Sequence, residues 1–151
     1  MLIALTQETP LWTCPKCGAR FVTKNMWHSC GLWTLEKLLE GKGPKARMFF
    51  DTFVNLARRC GPFQFAPTKT AVYFMVRVRF AQVHRVSERG MTFGFWLRRR
   101  IDSPRFSRVE YIPRNNWIYT VRITTVEELD EDALGWICEA YKVGEGPALI
   151  S

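Results

Sequence analysis

Histidine is nearly missing from this chain: His28 and His84 are the only two among 151 residues. General acid–base catalysis of the usual histidine kind therefore has little to draw on, and His84, at a strand end, reads as a surface residue. The sequence also lacks a serine, cysteine and histidine arrangement, a phosphate-binding glycine loop and a second metal motif. An enzyme assembled from arginine, asparagine and a carboxylate such as Glu110 would leave no such signature, but catalysis has little positive support. No apolar run approaches the roughly 18 residues of a membrane span. Met1 to Leu5 is too short for the apolar part of a signal peptide, so a soluble, cytoplasmic protein with no membrane partner is expected. The five cysteines imply no disulfide framework. Cys60 and Cys138 fall on apolar helical faces and are expected as buried hydrophobes.

What the chain does have is positive charge, unevenly placed. Residues 1–66 carry nine basic and four acidic side chains, 67–125 carry twelve and three, and 126–151 carry one and seven, so the middle is strongly basic and the end acidic. Arginine outnumbers lysine fifteen to seven, which favours planar, bidentate recognition of phosphate or carboxylate over simple solubility. A hydrophobic content of 47% suffices for one substantial core with a small appended module.

That module is Trp12-Thr13-Cys14-Pro15-Lys16-Cys17-Gly18, followed by Trp27-His28-Ser29-Cys30-Gly31. Two thiols two residues apart on a tight turn can face one ion, and the later His-x-Cys pair supplies two more ligands. Cys14, Cys17, His28 and Cys30 thus predict a Cys₃His tetrahedron. Four ligands leave no open position, so the cofactor expected is a structural zinc. Residues 11–33 form this zinc knuckle, 34–145 an α/β sandwich domain and 146–151 a tail.

Within the larger domain, Thr34 caps a short helix over Leu35 to Leu39, and a longer helix runs from Pro44 to Cys60 on a Phe49, Phe50, Phe53, Val54, Leu56, Ala57 stripe. From Thr68 to Phe80 the period becomes two, predicting one strand with Val72, Phe74, Val76, Val78 and Phe80 inward. Further strands follow at 91–97, 108–112 and 117–123. A capping box at Thr125 and Glu128 then opens a last helix through Tyr141. The expected fold is α+β: an antiparallel sheet of about four consecutive strands with two helices on one face, plus the knuckle.

The uncovered face would collect Lys69, Tyr73, Arg77, Arg79, Trp96, Arg98 and Arg122, with Arg114 and Asn115 in a nearby turn. Arginines between aromatic rings suit a nucleic-acid strand. Two alternatives stand beside that expectation: a binding module or small enzyme for an anionic small molecule, and a protein-interaction adaptor using the aromatics. A fourth possibility is that the knuckle folds over this face and acids neutralise its arginines.

The two cysteine motifs, with Pro67-Thr68-Lys69-Thr70, Val76-Arg77-Val78-Arg79-Phe80-Ala81, Leu97 to Arg100, Asp102-Ser103-Pro104-Arg105-Phe106 and Pro113-Arg114-Asn115, resemble a bacterial family known only as a domain of unknown function. The resemblance spans residues 12 to about 144. It implies a distant similarity to frataxin-like α/β sandwiches and brings no activity. Frataxin-like iron binding uses an acidic first helix, whereas Pro44 to Cys60 offers only Asp51, so iron delivery does not carry over.

The knuckle makes a direct prediction. Protein purified without added zinc should carry about one zinc per chain and lose structure on chelation; metal content well below one, with the fold indifferent to chelator, would remove the metal site.

Overall fold

The computed structural model describes residues 11–21, 34–113 and 116–146. Trp12–Thr13 (β1) and Arg20–Phe21 (β2) pair antiparallel around the cysteine turn. Gln64 grips β2 from the main domain: its amide donates to the Arg20 carbonyl at 2.6 Å and its oxygen accepts from the Arg20 N–H at 3.2 Å.

The short helix Leu35–Leu39 (α1) is capped as expected, the Thr34 hydroxyl accepting from the Lys37 N–H. The second helix, Pro44–Arg58 (α2), follows Gly43, whose φ of 95° favours glycine. Proline costs nothing in the first turn, where its missing N–H would have had no helical partner. The Glu88 carboxylate accepts from the Lys45 N–H at 2.8 Å, placing negative charge at the positive end of the helix.

The main sheet holds six antiparallel strands: Gln64–Pro67 (β3), Val72–Met75 (β4), Arg79–Ser87 (β5), Gly90–Leu97 (β6), Phe106–Ile112 (β7) and Asn116–Ile123 (β8). Their order is β3-β4-β5-β6-β8-β7, with β7 on the outer edge. The expected four consecutive strands are corrected in three ways. The edge strand β3 was not anticipated. The single strand from Thr68 to Phe80 is a hairpin in which Met75 pairs with Arg79. The chain reverses through Val76-Arg77-Val78 because the Gly144 carbonyl accepts from both the Arg77 and Val78 N–H groups, at 2.9 and 3.0 Å. Finally, β8 lies between β6 and β7. The expected capping box forms at Thr125 and Glu128, but on a separate 3₁₀ turn, Val126–Glu128; the last helix, Glu131–Gly144 (α3), has its own cap at Asp130.

Both α2 and α3 pack on β5 and β6 from the same side. Phe53 is fully buried, its ring 5.2 Å from Phe74 and 4.8 Å from Phe93. Trp136 of α3 stacks on Phe95 at 5.7 Å. Truncating such a buried ring typically costs about 3–5 kcal/mol, so this contact fixes which face the helices cover. The connection from β6 to β7 is anchored by Tyr119, whose hydroxyl accepts from the Ile101 N–H and donates to the Arg99 carbonyl, both at 2.8 Å. Arg105 ties the same connection to α3 through the Asp130 carboxylate and the Trp136 ring.

Cys60 and Cys138 are not separate buried hydrophobes. They form a disulfide joining the end of α2 to α3, with Cα atoms 5.1 Å apart. Helix-face position told where each cysteine lay but not that the two helices bring them together. Among the described residues, no helix is long and apolar enough to cross a membrane.

Candidate functional site

Strand alternation places three rows of side chains on the face opposite the helices. One row runs Trp96, Ile118, Glu110 across β6, β8 and β7. The central row runs Tyr73, Gln82, Gly94, Thr120, Arg108 from β4 to β7. In the third, a register shift between Val83 and Arg85 sets Arg85 opposite Thr92, which pairs with Arg122.

At one end of this face, the Arg79 guanidinium lies over the Tyr73 ring, 4.0 Å from its centroid, and Tyr73 stands 6.4 Å from Trp96. Three residues expected together from the sequence are therefore together. Arg122 also lies on the face, donating to the Thr92 hydroxyl at 3.4 Å. Arg98 follows Trp96 just beyond β6 and is exposed. Lys69 and Arg77 are corrected: Lys69 sits exposed in the turn before β4, and Arg77 belongs to the hairpin tip beside the end of α3, its side chain near Gly146. Arg114 and Asn115 lie outside the described residues, as do His28, Cys30 and residues 147–151 of the expected tail.

The centre of the face is a cleft of about 260 Å³ lined by Gln82, His84, Thr92, Ile118 and Thr120, with Arg85, Arg108 and Glu110 around it. Glycine at position 94 creates the depression. A Cβ there would meet Gln82 Nε2 and the Tyr119 carbonyl at 3.3 Å, so the missing side chain leaves room for the glutamine. Gln82 is the one buried polar side chain among the described residues, at 7% exposure. Sequence reasoning missed it because β5 was not separated from β4. Its signal was a polar amide flanked by Ala81 and Val83.

Arg108 and Glu110 form an ion pair at 3.0 Å on the cleft's edge. Arg99, Arg100 and Arg105 pair with Glu139, Asp102 and Asp130, holding loops and helix rather than serving this face. Among the described residues, Arg79, Arg85, Arg98 and Arg122 have no carboxylate partner within ion-pair distance. The idea that acids neutralise the arginines thus holds for the loops and for Arg108, not for these four.

At the knuckle, the turn closes through the Gly18 N–H to the Cys14 carbonyl at 2.9 Å, and the Lys16 N–H points at Cys14 Sγ at 3.4 Å. Cys14 is buried and Cys17 exposed. Among the described residues no cluster of three metal-ligating side chains forms.

A sheet with two helices on one face and a polar, partly cationic cleft on the other defines an α+β domain. Residues 35–144 match the family described as Domain of unknown function (DUF5655), and the chain belongs to that family. No curated protein and no solved structure gives a significant match.

His84 carries a pH prediction. Burial, then Arg85, hold its imidazole below the ordinary value of 6.5, while Glu110 pulls the other way. The unfolded chain then binds the proton first as pH falls. Stability should be complete above pH 6.5 and decline as pH drops through the interval below it. Thermal unfolding from pH 7.5 to 5 should show a shallower decline in His84→Gln; an identical decline would contradict the assignment.

Proposed function

We propose that the helix-free face of the sheet binds single-stranded nucleic acid. The observation that carries this reading is the Arg79–Tyr73–Trp96 cluster on a sheet face that no helix covers among the described residues. Stacked rings accept bases of any sequence, at about 1–3 kcal/mol per base, and arginines without carboxylate partners accept phosphates. Arg79 and Arg85 of β5 and Arg122 of β8 are spread over the face, with Arg85 lining the cleft, so a strand laid across the sheet meets cations along its path.

An anionic small molecule held in the cleft is the second reading, favoured by the arginines at its rim. A protein-interaction adaptor using the same aromatics is a third, and no separate feature favours it. We see no support for an enzyme beyond the presence of His84 and Glu110 in one cleft. The likeness to frataxin-like sandwiches is proposed as one of layout: helices at both ends of an antiparallel sheet.

For the knuckle, the reading is a structural zinc held by Cys14, Cys17, His28 and Cys30. The N–H directed at Cys14 Sγ and the tight turn at Gly18, with φ of 80°, support half of that ligand set, since an N–H at the sulfur favours the thiolate. Its expected role is to hold the hairpin beside β3, where Gln64 grips Arg20.

Titration of short single-stranded DNA and RNA at two salt concentrations tests the main reading. Affinity should fall with salt at a slope of about −0.7 per phosphate engaged. Tyr73→Ala should weaken binding by roughly 5- to 150-fold at either salt, and Arg79→Glu with Arg122→Glu should both weaken it and flatten the slope. Binding that ignores salt and these substitutions would refute it.

A further inference from the structure

We infer that the cleft around Gln82 is a pocket for a single unstacked nucleobase, which rests on the nucleic-acid reading of this face. Gln82 is 7% exposed, lines the cleft, and its carboxamide has no hydrogen-bond partner among the described residues. Among the described residues only Asn116 Oδ1 is a buried side-chain polar atom without a partner, so the Gln82 amide atoms open into the cleft and are available to what fills it. A ligand that supplies both an acceptor and a donor can pair with this amide in place of water. A carboxamide offers the same two functions side by side, and base edges present the complementary pair, which is why glutamine and asparagine read bases in bidentate fashion.

The surroundings fit a flat, neutral ring better than a phosphate. Thr92 and Thr120 place hydroxyls beside the amide, and the Thr92 oxygen already accepts from Arg122, which leaves its O–H to donate. Ile118 supplies an apolar wall. Glu110 at the edge is held by Arg108, whereas the exposed Arg85, without a carboxylate partner among the described residues, can meet a phosphate at the rim. At about 260 Å³ the cleft falls just below the range of drug-sized pockets, appropriate to one ring system rather than a dinucleotide. Gly94 supplies the depth, because any side chain there would press on Gln82. Tyr73 is the neighbour of Gln82 across the β4–β5 ladder, so a strand stacked on the aromatic cluster would pass directly over the pocket. Unstacked bases of single strands are commonly read in this way, on their hydrogen-bonding edges.

Four homopolymeric octanucleotides, titrated by fluorescence polarisation against the wild type and Gln82→Met, test this. The wild type should favour one base, and Gln82→Met should lower that preference by about 5- to 100-fold. Its salt slope should stay unchanged, since the change removes no charge. Thr120→Val, which keeps the side-chain volume, should lose preference in the same direction. Octanucleotides bound without preference, or with a preference that both variants keep, would overturn the pocket and leave the stacking face standing. No octanucleotide binding at low salt would overturn both. Inorganic phosphate that raises the melting temperature as much as a nucleoside monophosphate would assign the cleft to an anion and also overturn the pocket.

Discussion

The packing of Phe53 between Phe74 and Phe93 commits both long helices to one side of the sheet. Once α2 is seated by that ring, the disulfide from Cys60 to Cys138 and the stacking of Trp136 on Phe95 hold α3 beside it. Every inward residue of β6, namely Met91, Phe93, Phe95 and Leu97, is then fully buried, and the alternate residues Thr92, Gly94 and Trp96 are turned away from the helices. Side-chain alternation in a strand allows no compromise: a register that buries one set exposes the other. The polar cleft follows from the apolar core.

The arginines divide by what they touch. Arg99, Arg100 and Arg105 hold the connection after β6 through carboxylates, a helix cap and the rings of Trp117 and Trp136. Exposed pairs of this sort contribute little to stability singly, and they occupy three of the twelve basic side chains in the middle of the chain. The net charge of +8 already discounts these pairs and says nothing of where the excess lies. What distinguishes the helix-free face is placement: rings at one end and, at the centre, a depression with Gln82 and two threonines inside and charged side chains around it. A uniformly basic surface would hold any anion.

Much of the scaffold is legible in the sequence, and the limits have physical reasons. Helices α1 and α2 carry local signals, a capping threonine and an N-terminal proline, and their apolar spacing is unambiguous. Strands β6 and β8 read correctly because alternation runs unbroken and a glycine or turn precedes each. The pattern misled at Val76-Arg77-Val78, where alternation continues while the chain reverses, because the turn is held by the Gly144 carbonyl from the far end of the chain. No local rule contains that contact. The same error hid β5, and with it Gln82 and the partnership of His84 with Glu110 in one cleft. The cysteine pair was missed for a similar reason: each residue signals its own helix face, and only the packing of α2 on α3 makes them neighbours. Tyr73, Arg79 and Trp96 were found because each is an outward residue of a strand whose inward residues are plainly apolar.

The most direct test of a ligand surface opposite the helices is amide chemical-shift mapping of isotopically labelled protein with a single-stranded octanucleotide at low salt. Shifts concentrated on Tyr73, Gln82, Gly94, Trp96 and Thr120, with α2 and α3 quiet, are the predicted result. Shifts confined to the helices, or none anywhere, would contradict it.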